Sequence, residues 1–296
     1  MAPEQTEPHA SVDPVFDRPA FLLSPPRSGS TLLFELLAQA PDAQTIGGES
    51  HRLIEQIPGL GPRDRGFDSN ALVAADATVA ARDALRTAFH AALRDRDGAA
   101  PAPGTRVRML EKTPKNALRV AFLHAVFPEA RFVYLYRDVR ETLGSMLDAW
   151  QSGRFRTYIN LPGWPLPAWS LVLVPGWRAL AGRPLHEVVA AQWKVTTDLL
   201  LDALEALPPE RWVAAEHAAV VASPQREIES LCAWLGFGWD RALGPDLPLS
   251  RFTLTRPAPD KWRRHAQLIE PLIPHLAATN ERARRMLAAG RARLST

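Results

Sequence analysis

The stretch from Phe21 to Leu33 reads Phe-Leu-Leu-Ser-Pro-Pro-Arg-Ser-Gly-Ser-Thr-Leu-Leu, an apolar run that breaks into small polar residues and then re-enters an apolar helical pattern. That order predicts a buried strand, a tight turn and a helix start. The first helical amides have no carbonyl partner within the helix and carry the positive end of its dipole, so an anion in the turn is held by backbone groups. Phosphate or sulfate is the expected occupant. A nucleoside-triphosphate loop would read G-x-x-x-x-G-K-[ST], whereas this loop has a single glycine, Gly29, and a cation, Arg27, two residues before it.

A second segment repeats the logic. Arg131-Phe-Val-Tyr-Leu-Tyr-Arg-Asp-Val-Arg-Glu-Thr-Leu-Gly-Ser-Met146 runs from a β-rich strand into a helix, with Arg137 at the turn and Ser145 about two helical turns beyond it. An arginine at a strand end and a serine two turns along the following helix can face one phosphate. The Pro26-Arg-Ser-Gly-Ser-Thr31 form resembles the 5′-phosphosulfate loop of sulfotransferases, which take a sulfuryl group from 3′-phosphoadenosine-5′-phosphosulfate (PAPS) as co-substrate. The Arg137/Ser145 pair is similar to the 3′-phosphate site of the same family. The resemblance implies that Arg27 with Ser28, Gly29, Ser30 and Thr31 holds the phosphosulfate and that Arg137 and Ser145 hold the 3′-phosphate.

Strands expected at 21–24, 108–110, 131–136 and 212–215 alternate with helices expected at 31–39, 70–94, 186–206 and 224–235. Such alternation argues an α/β fold with a central parallel sheet flanked by helices on both faces, and the resemblance implies that this is a P-loop-like three-layer arrangement. Residues 1–18 read as a flexible tail without an apolar signal segment, and 19–296 as one domain. The net charge of +3 over 296 residues, with no basic run interleaved with aromatics, argues against a nucleic-acid partner. Lysine is rare, four of 35 basic residues, which makes Lys112, Lys115, Lys194 and Lys261 mildly informative. The single cysteine, Cys232, sits at an apolar helical position and reads as core filler. No run is long enough to span a bilayer, and a cytoplasmic enzyme of unknown oligomeric state is expected.

Transfer of a sulfuryl group needs a base for the acceptor hydroxyl and positive charge for the departing phosphate. In Gly47-Gly-Glu-Ser-His-Arg52, Glu49 is the first choice of base and His51 the second. The Gly-Glu segment is similar to one that supplies the catalytic carboxylate in tyrosylprotein-type sulfotransferases, while an imidazole titrates nearer neutrality. Lys112 resembles the family lysine near the bridging oxygen; Lys115 could equally face solvent. No metal is required, and the histidines show no ligand spacing. Trp212 to His217, Ser223 to Ile228 and Leu235-Gly236 look like bacterial sulfotransferases, with His217 in place of the usual acid. Leu249 to Thr255 with Asp260-Lys-Trp-Arg263 resembles the loop that closes over the nucleotide, where Lys261 or Arg263 would contact phosphate. The Trp/Pro-rich segment 150–182 is expected to be a lid whose indoles face an apolar or aromatic hydroxyl acceptor, a small molecule, lipid or carrier-bound group. Two other classes stay open: a kinase-like phosphoryl transferase, which would want a Gly-Lys-Ser/Thr loop and a Mg-binding acid, and a non-catalytic nucleotide-binding module.

Overall fold

The computed structural model describes residues 12–244, 246–254, 258 and 260–294. Five strands, β1 (Ala20–Leu23), β2 (Ala43–Gln44), β3 (Arg108–Lys112), β4 (Arg131–Tyr136) and β7 (Trp212–Glu216), form one parallel sheet in the order β2-β3-β1-β4-β7. A separate antiparallel hairpin pairs β5 (Arg156–Ile159) with β6 (Ala168–Ser170). The helices among the described residues are α1 (Ser30–Leu37), α2 (His51–Glu55), α3 (Val79–Ala92), α4 (Val120–Val126), α5 (Val139–Ser152), α6 (Leu185–Glu205), α7 (His217–Ala222), α8 (Pro224–Leu235), α9 (Ala266–Ile269) and α10 (Ile273–Ala292).

Why the sheet is covered on both faces is written in β1 and β4. Both are apolar at successive positions, so a period of two sends apolar side chains each way. Phe21, Leu23, Phe132, Tyr134 and Tyr136 join one core with α3, α4, α6 and α10, whereas Ala20, Leu22, Val133 and Leu135 join another with α1 and α8. Cys232 is buried in the second core, and burial pushes its thiol up to about 12, as expected of filler. A third core beneath α5 and the N-terminal half of α6 takes the tryptophans of 150–177.

The site follows from the strand order. β1 has β3 on one side and β4 on the other, so the chain leaves its carboxyl end at the point where the direction of winding reverses, the crevice in which open parallel sheets bind ligands. Leu22 pairs with Lys112 and with Val133, which brings the carboxyl ends of β1, β3 and β4 to one edge.

Two local expectations are corrected. Residues 1–11 lie outside the described residues, but the expected tail is anchored from Asp13 on: Phe16 is fully buried, and Asp13 accepts two 2.7 Å bonds from Arg86. The helix expected from residue 70 begins at Val79, where the Thr78 side chain caps Ala81 N at 3.2 Å. Asn70 is instead a loop anchor, its Oδ1 accepting from Leu173 N at 2.7 Å and its N–H donating to Leu173 O at 2.8 Å. α10, β2 and the β5–β6 hairpin had no counterpart in the sequence reading. No helix among the described residues is long and apolar enough to cross a membrane.

Candidate active site

The loop between β1 and α1 carries two residues in the left-handed region, Arg27 (φ +67°) and Gly29 (φ +92°). Left-handed residues beside right-handed ones turn successive backbone N–H groups toward one concavity, an anion nest at the start of α1. Gly29 is required there twice over. Its φ suits glycine, and a Cβ at this position would lie 2.2 Å from His217 Cδ2. The half-buried His217 imidazole is pushed down to about 4, first by its loss of solvent and then by the charge of Arg137, so it covers the loop as a neutral ring.

The two anion motifs interlock. Arg27 Nε donates to Ser145 Oγ at 3.3 Å, and Arg137 Nη1 donates to the Arg27 carbonyl at 3.0 Å. α5 begins here, its Asp138 N-cap accepting from Arg140 N at 2.9 Å and Glu141 N at 3.3 Å, so Ser145 is carried inward on a capped helix. Arg137 Nε also donates to Glu141 Oε2 at 3.0 Å. Arg27 stacks 4.6 Å over the Phe155 ring and donates to the Phe252 carbonyl at 3.2 Å. These three partners are neutral, and burial, followed by repulsion from Arg137, lowers its pKa. Two guanidinium groups held together in this way favour an anion between them.

A cavity of about 1220 Å³ opens onto this constellation. Its lining includes Arg27, Gly29, Ser30, Thr31, Arg137, Ser145, Lys261 and His217 together with Glu49, His51, Glu55, Lys115, Phe155, Tyr158, Leu171 and Val172. Lys261 is lowered by burial first and then by Arg264. Residues 247–250 and 252–254 form a wall over the anion loop; Thr255, at the end of that motif, lies outside the described residues.

Glu49 Oε1 accepts from Lys112 Nζ at 2.8 Å, while Oε2 faces His51 Nδ1 across 3.6 Å, beyond hydrogen-bond reach, and that nitrogen has no hydrogen-bond partner among the described residues. Burial, and then the nearby Lys115 charge, lowers the His51 pKa and keeps the ring neutral near pH 7. Behind the pair, Glu111 is fully buried, accepting from Asn116 Nδ2 at 2.7 Å and Ser50 N at 3.3 Å; burial raises its pKa. That network ties the start of α2 to the end of β3. Deeper along the same wall, Glu55 accepts from Lys115 Nζ and Arg119 Nη2, each at 2.8 Å.

Residues 19–241 match the family model described as the sulfotransferase family. The chain belongs to the sulfotransferase family. As a sulfotransferase it shares its fold with a sulfotransferase from Alicyclobacillus acidocaldarius (TM-score 0.54, 14% identity, covering 95% of this chain and all of that one). The sulfotransferase domain of the Synechococcus PCC 7002 olefin synthase is also similar (TM-score 0.46, 18% identity, 88% of this chain and 96% of that one). No curated protein matches this sulfotransferase in sequence.

Of the residues expected in the sulfotransferase site, Arg27, Gly29, Ser30, Thr31, Glu49, His51, Arg137, Ser145 and Lys261 meet around one cavity. The Ser28 side chain is buried in the loop, so its backbone amide is the part available to an anion, as the expectation of loop amides has it. Three expectations change. Lys112 is only 3% exposed and sits behind Glu49, its ammonium held by that carboxylate rather than lining the main cavity. Arg263 points to solvent, 66% exposed, paired with Asp260 at 3.2 Å, and does not line the cavity. The indoles of the expected lid are buried: Trp169 and Trp177 at 0% and Trp150 and Trp164 at 8%. What that segment gives the cavity is Phe155, Arg156, Thr157, Tyr158, Leu171 and Val172.

Reading the sequence missed the Glu55–Lys115–Arg119 group, Tyr158, Phe252 and the part played by His217. It also missed Gly144, where a Cβ would meet Trp262 Cβ at 2.9 Å, so that glycine lets the Lys261–His265 turn press against α5. A glycine inside a strong helical pattern was the available signal.

Proposed function

We propose that this enzyme transfers a sulfuryl group from PAPS to the hydroxyl of an acceptor with an apolar or aromatic body, forming a sulfate ester and adenosine 3′,5′-bisphosphate. The observation that carries the reading is the interlock of the two anion motifs, Arg27 with Ser145 and Arg137 with the Arg27 carbonyl, at 3.3 and 3.0 Å. A triphosphate loop has no use for a second anion site fused to the first. A nucleotide charged at both its 5′ and 3′ positions does.

In this reading the amides of Ser28 to Thr31 and the Arg27 guanidinium bind the 5′-phosphosulfate, and Arg137 with Ser145 binds the 3′-phosphate. Lys261 lines the same cavity and adds a further cation. The acceptor oxygen forms a bond to sulfur as the bond from sulfur to the phosphate oxygen breaks, and the electron pair leaves with the phosphate. The hydroxyl proton goes to the Glu49–His51 pair. His51 is neutral and so has a free nitrogen lone pair, and Glu49, fixed by Lys112, faces its Nδ1 and favours the tautomer that leaves Nε2 unprotonated. Lys112 is thereby a positioning residue for the base rather than a contact of the leaving group. Phe155, Leu171 and Val172 supply the apolar wall for the acceptor.

Calorimetric titration with adenosine 3′,5′-bisphosphate beside 5′-AMP and Mg-ATP tests the reading. Preference for the bisphosphate, lost in Arg137→Ala, is the expected result. Equal or tighter binding of Mg-ATP overturns it in favour of phosphoryl transfer.

A further inference from the structure

We propose that the part of the cavity walled by α2, the turn after β3 and the β5–β6 hairpin is a carboxylate subsite, so that the acceptor carries a carboxylate as well as the hydroxyl that is sulfated. This inference rests on the sulfuryl-transfer reading and names the chemical class of its acceptor.

The first argument is hydrogen-bond bookkeeping around Tyr158. Its phenolic oxygen accepts from Asn70 Nδ2 at 2.5 Å and from Lys115 Nζ at 3.1 Å. A phenol oxygen has two acceptor positions and one proton. Both acceptor positions are filled, so the O–H is left to donate, and Tyr158 lines the cavity. Lys115 cannot serve in its place, because its other bonds run to Glu55 Oε1 at 2.8 Å and Oε2 at 3.1 Å.

The second argument is charge. Glu55 carries one negative charge against two positive ones, Lys115 and Arg119, leaving the group at +1. Arg119 is fully buried, its Nη1 has no hydrogen-bond partner among the described residues, and Lys115 is 7% exposed. An uncompensated positive charge so far from water is costly, and an anion at the same wall offsets that cost. Of the other titratable groups facing Lys115, Glu49 is already paired with Lys112, and His51 is neutral and adds nothing to the balance. Arg156, exposed and also lining the cavity, adds the same sign. A neutral carbonyl would satisfy the Tyr158 proton but not the charge; a carboxylate satisfies both, and the apolar side chains of Leu171 and Val172 leave room for a hydrocarbon body beside it.

The test uses the enzyme saturated with adenosine 3′,5′-bisphosphate and two probe pairs, 10-hydroxydecanoate and 3-(4-hydroxyphenyl)propionate, each beside its methyl ester and the corresponding phosphate monoester. Binding is measured by calorimetry, and turnover with PAPS is measured in parallel. Each acid is expected to bind about tenfold tighter than its ester, the usual worth of a hydrogen bond to a charged group. Tyr158→Phe should weaken acid binding by about the same factor, raise KM for the acids without changing kcat, and leave the ester and bisphosphate affinities as they were. Esters binding as tightly as acids, phosphates binding more tightly than carboxylates, no acid binding to the bisphosphate-loaded enzyme, or an equal loss for acid and ester in Tyr158→Phe would each overturn the assignment. Failure of the bisphosphate itself to bind would instead remove the sulfuryl-transfer reading on which it rests.

Discussion

Gly29→Ala separates two demands that the anion loop makes on one residue. At φ +92° an alanine pays about 1 kcal/mol for the left-handed conformation. Its Cβ would also lie 2.2 Å from His217 Cδ2, so the ring must retreat by more than 1 Å to reach ordinary contact near 3.5 Å. The half-buried ring must shift toward the cavity it lines, and overpacking of this kind adds about 2 kcal/mol. The total, about 3 kcal/mol, corresponds to roughly a 100-fold change in an equilibrium constant. If the loop holds its shape the loss appears in urea unfolding; if it yields, it appears in the dissociation constant for adenosine 3′,5′-bisphosphate. Both are therefore measured and added. His217→Ala opens the space the new methyl needs, so the double variant should keep only the backbone cost beyond that of His217→Ala itself. The cycle should yield a favourable coupling of about 2 kcal/mol. Losses that simply add in the double variant would refute the argument that His217 packs on the Gly29 backbone as the cover of the anion site.

Two further outcomes follow from burial. His217 has its folded-state pKa lowered from 6.5 to about 4, so the folded protein binds fewer protons than the unfolded chain between those values; its contribution is complete above pH 6.5 and is lost as the pH falls toward 4, amounting to about 3 kcal/mol. Chemical denaturation from pH 7 to 4.5 should show a shallower pH dependence in His217→Gln than in the parent, and equal slopes would disprove it. Trp169 is fully buried, with indoles of Trp150, Trp164 and Trp177 at centroid distances of 5.2, 4.8 and 5.8 Å. Trp169→Ala should therefore cost about 3–5 kcal/mol of stability in urea, and a loss under about 1 kcal/mol joined to a raised acceptor KM would restore the view of these indoles as a lid.

What could be read from the sequence was whatever depends on backbone pattern. β1 and β4 are apolar at every interior position, and the loop after β1 and the helix after β4 carry their functional groups within a few residues of the strand end, so local spacing already implied their place at one edge. Helix ends were less legible where a side chain had a distant partner. Asn70 looked like a helix start, but its amide groups bridge to Leu173, Tyr158 and Glu55, contacts more than ten residues away in the chain that no local propensity contains. The tryptophans misled for a related reason. A dense Trp/Pro segment describes either a lid or a second core, and only the packing partners, here α5, α6 and the 269–276 region, decide between them.

The charged half of the site shows the same limit more sharply. Lys112 and Lys115 stand three residues apart in one motif, and nothing in that spacing says that the first is bound to Glu49 and the second to Glu55. The separation comes from β3 ending at Lys112 and a tight turn beginning at Pro114, which send the two ammonium groups to different carboxylates of the segment 49–55. That division is what gives the cavity two chemical ends. Lys112 leaves Glu49 fixed beside His51, while Lys115 joins Arg119 and leaves an excess positive charge beside Tyr158. If the two lysines were interchangeable cations of one leaving-group site, Lys115→Met would impair bisphosphate binding as Arg137→Ala does. The geometry makes Lys115 a determinant of what is sulfated, because its partners lie on the hairpin and on α2 and none belongs to the anion loop.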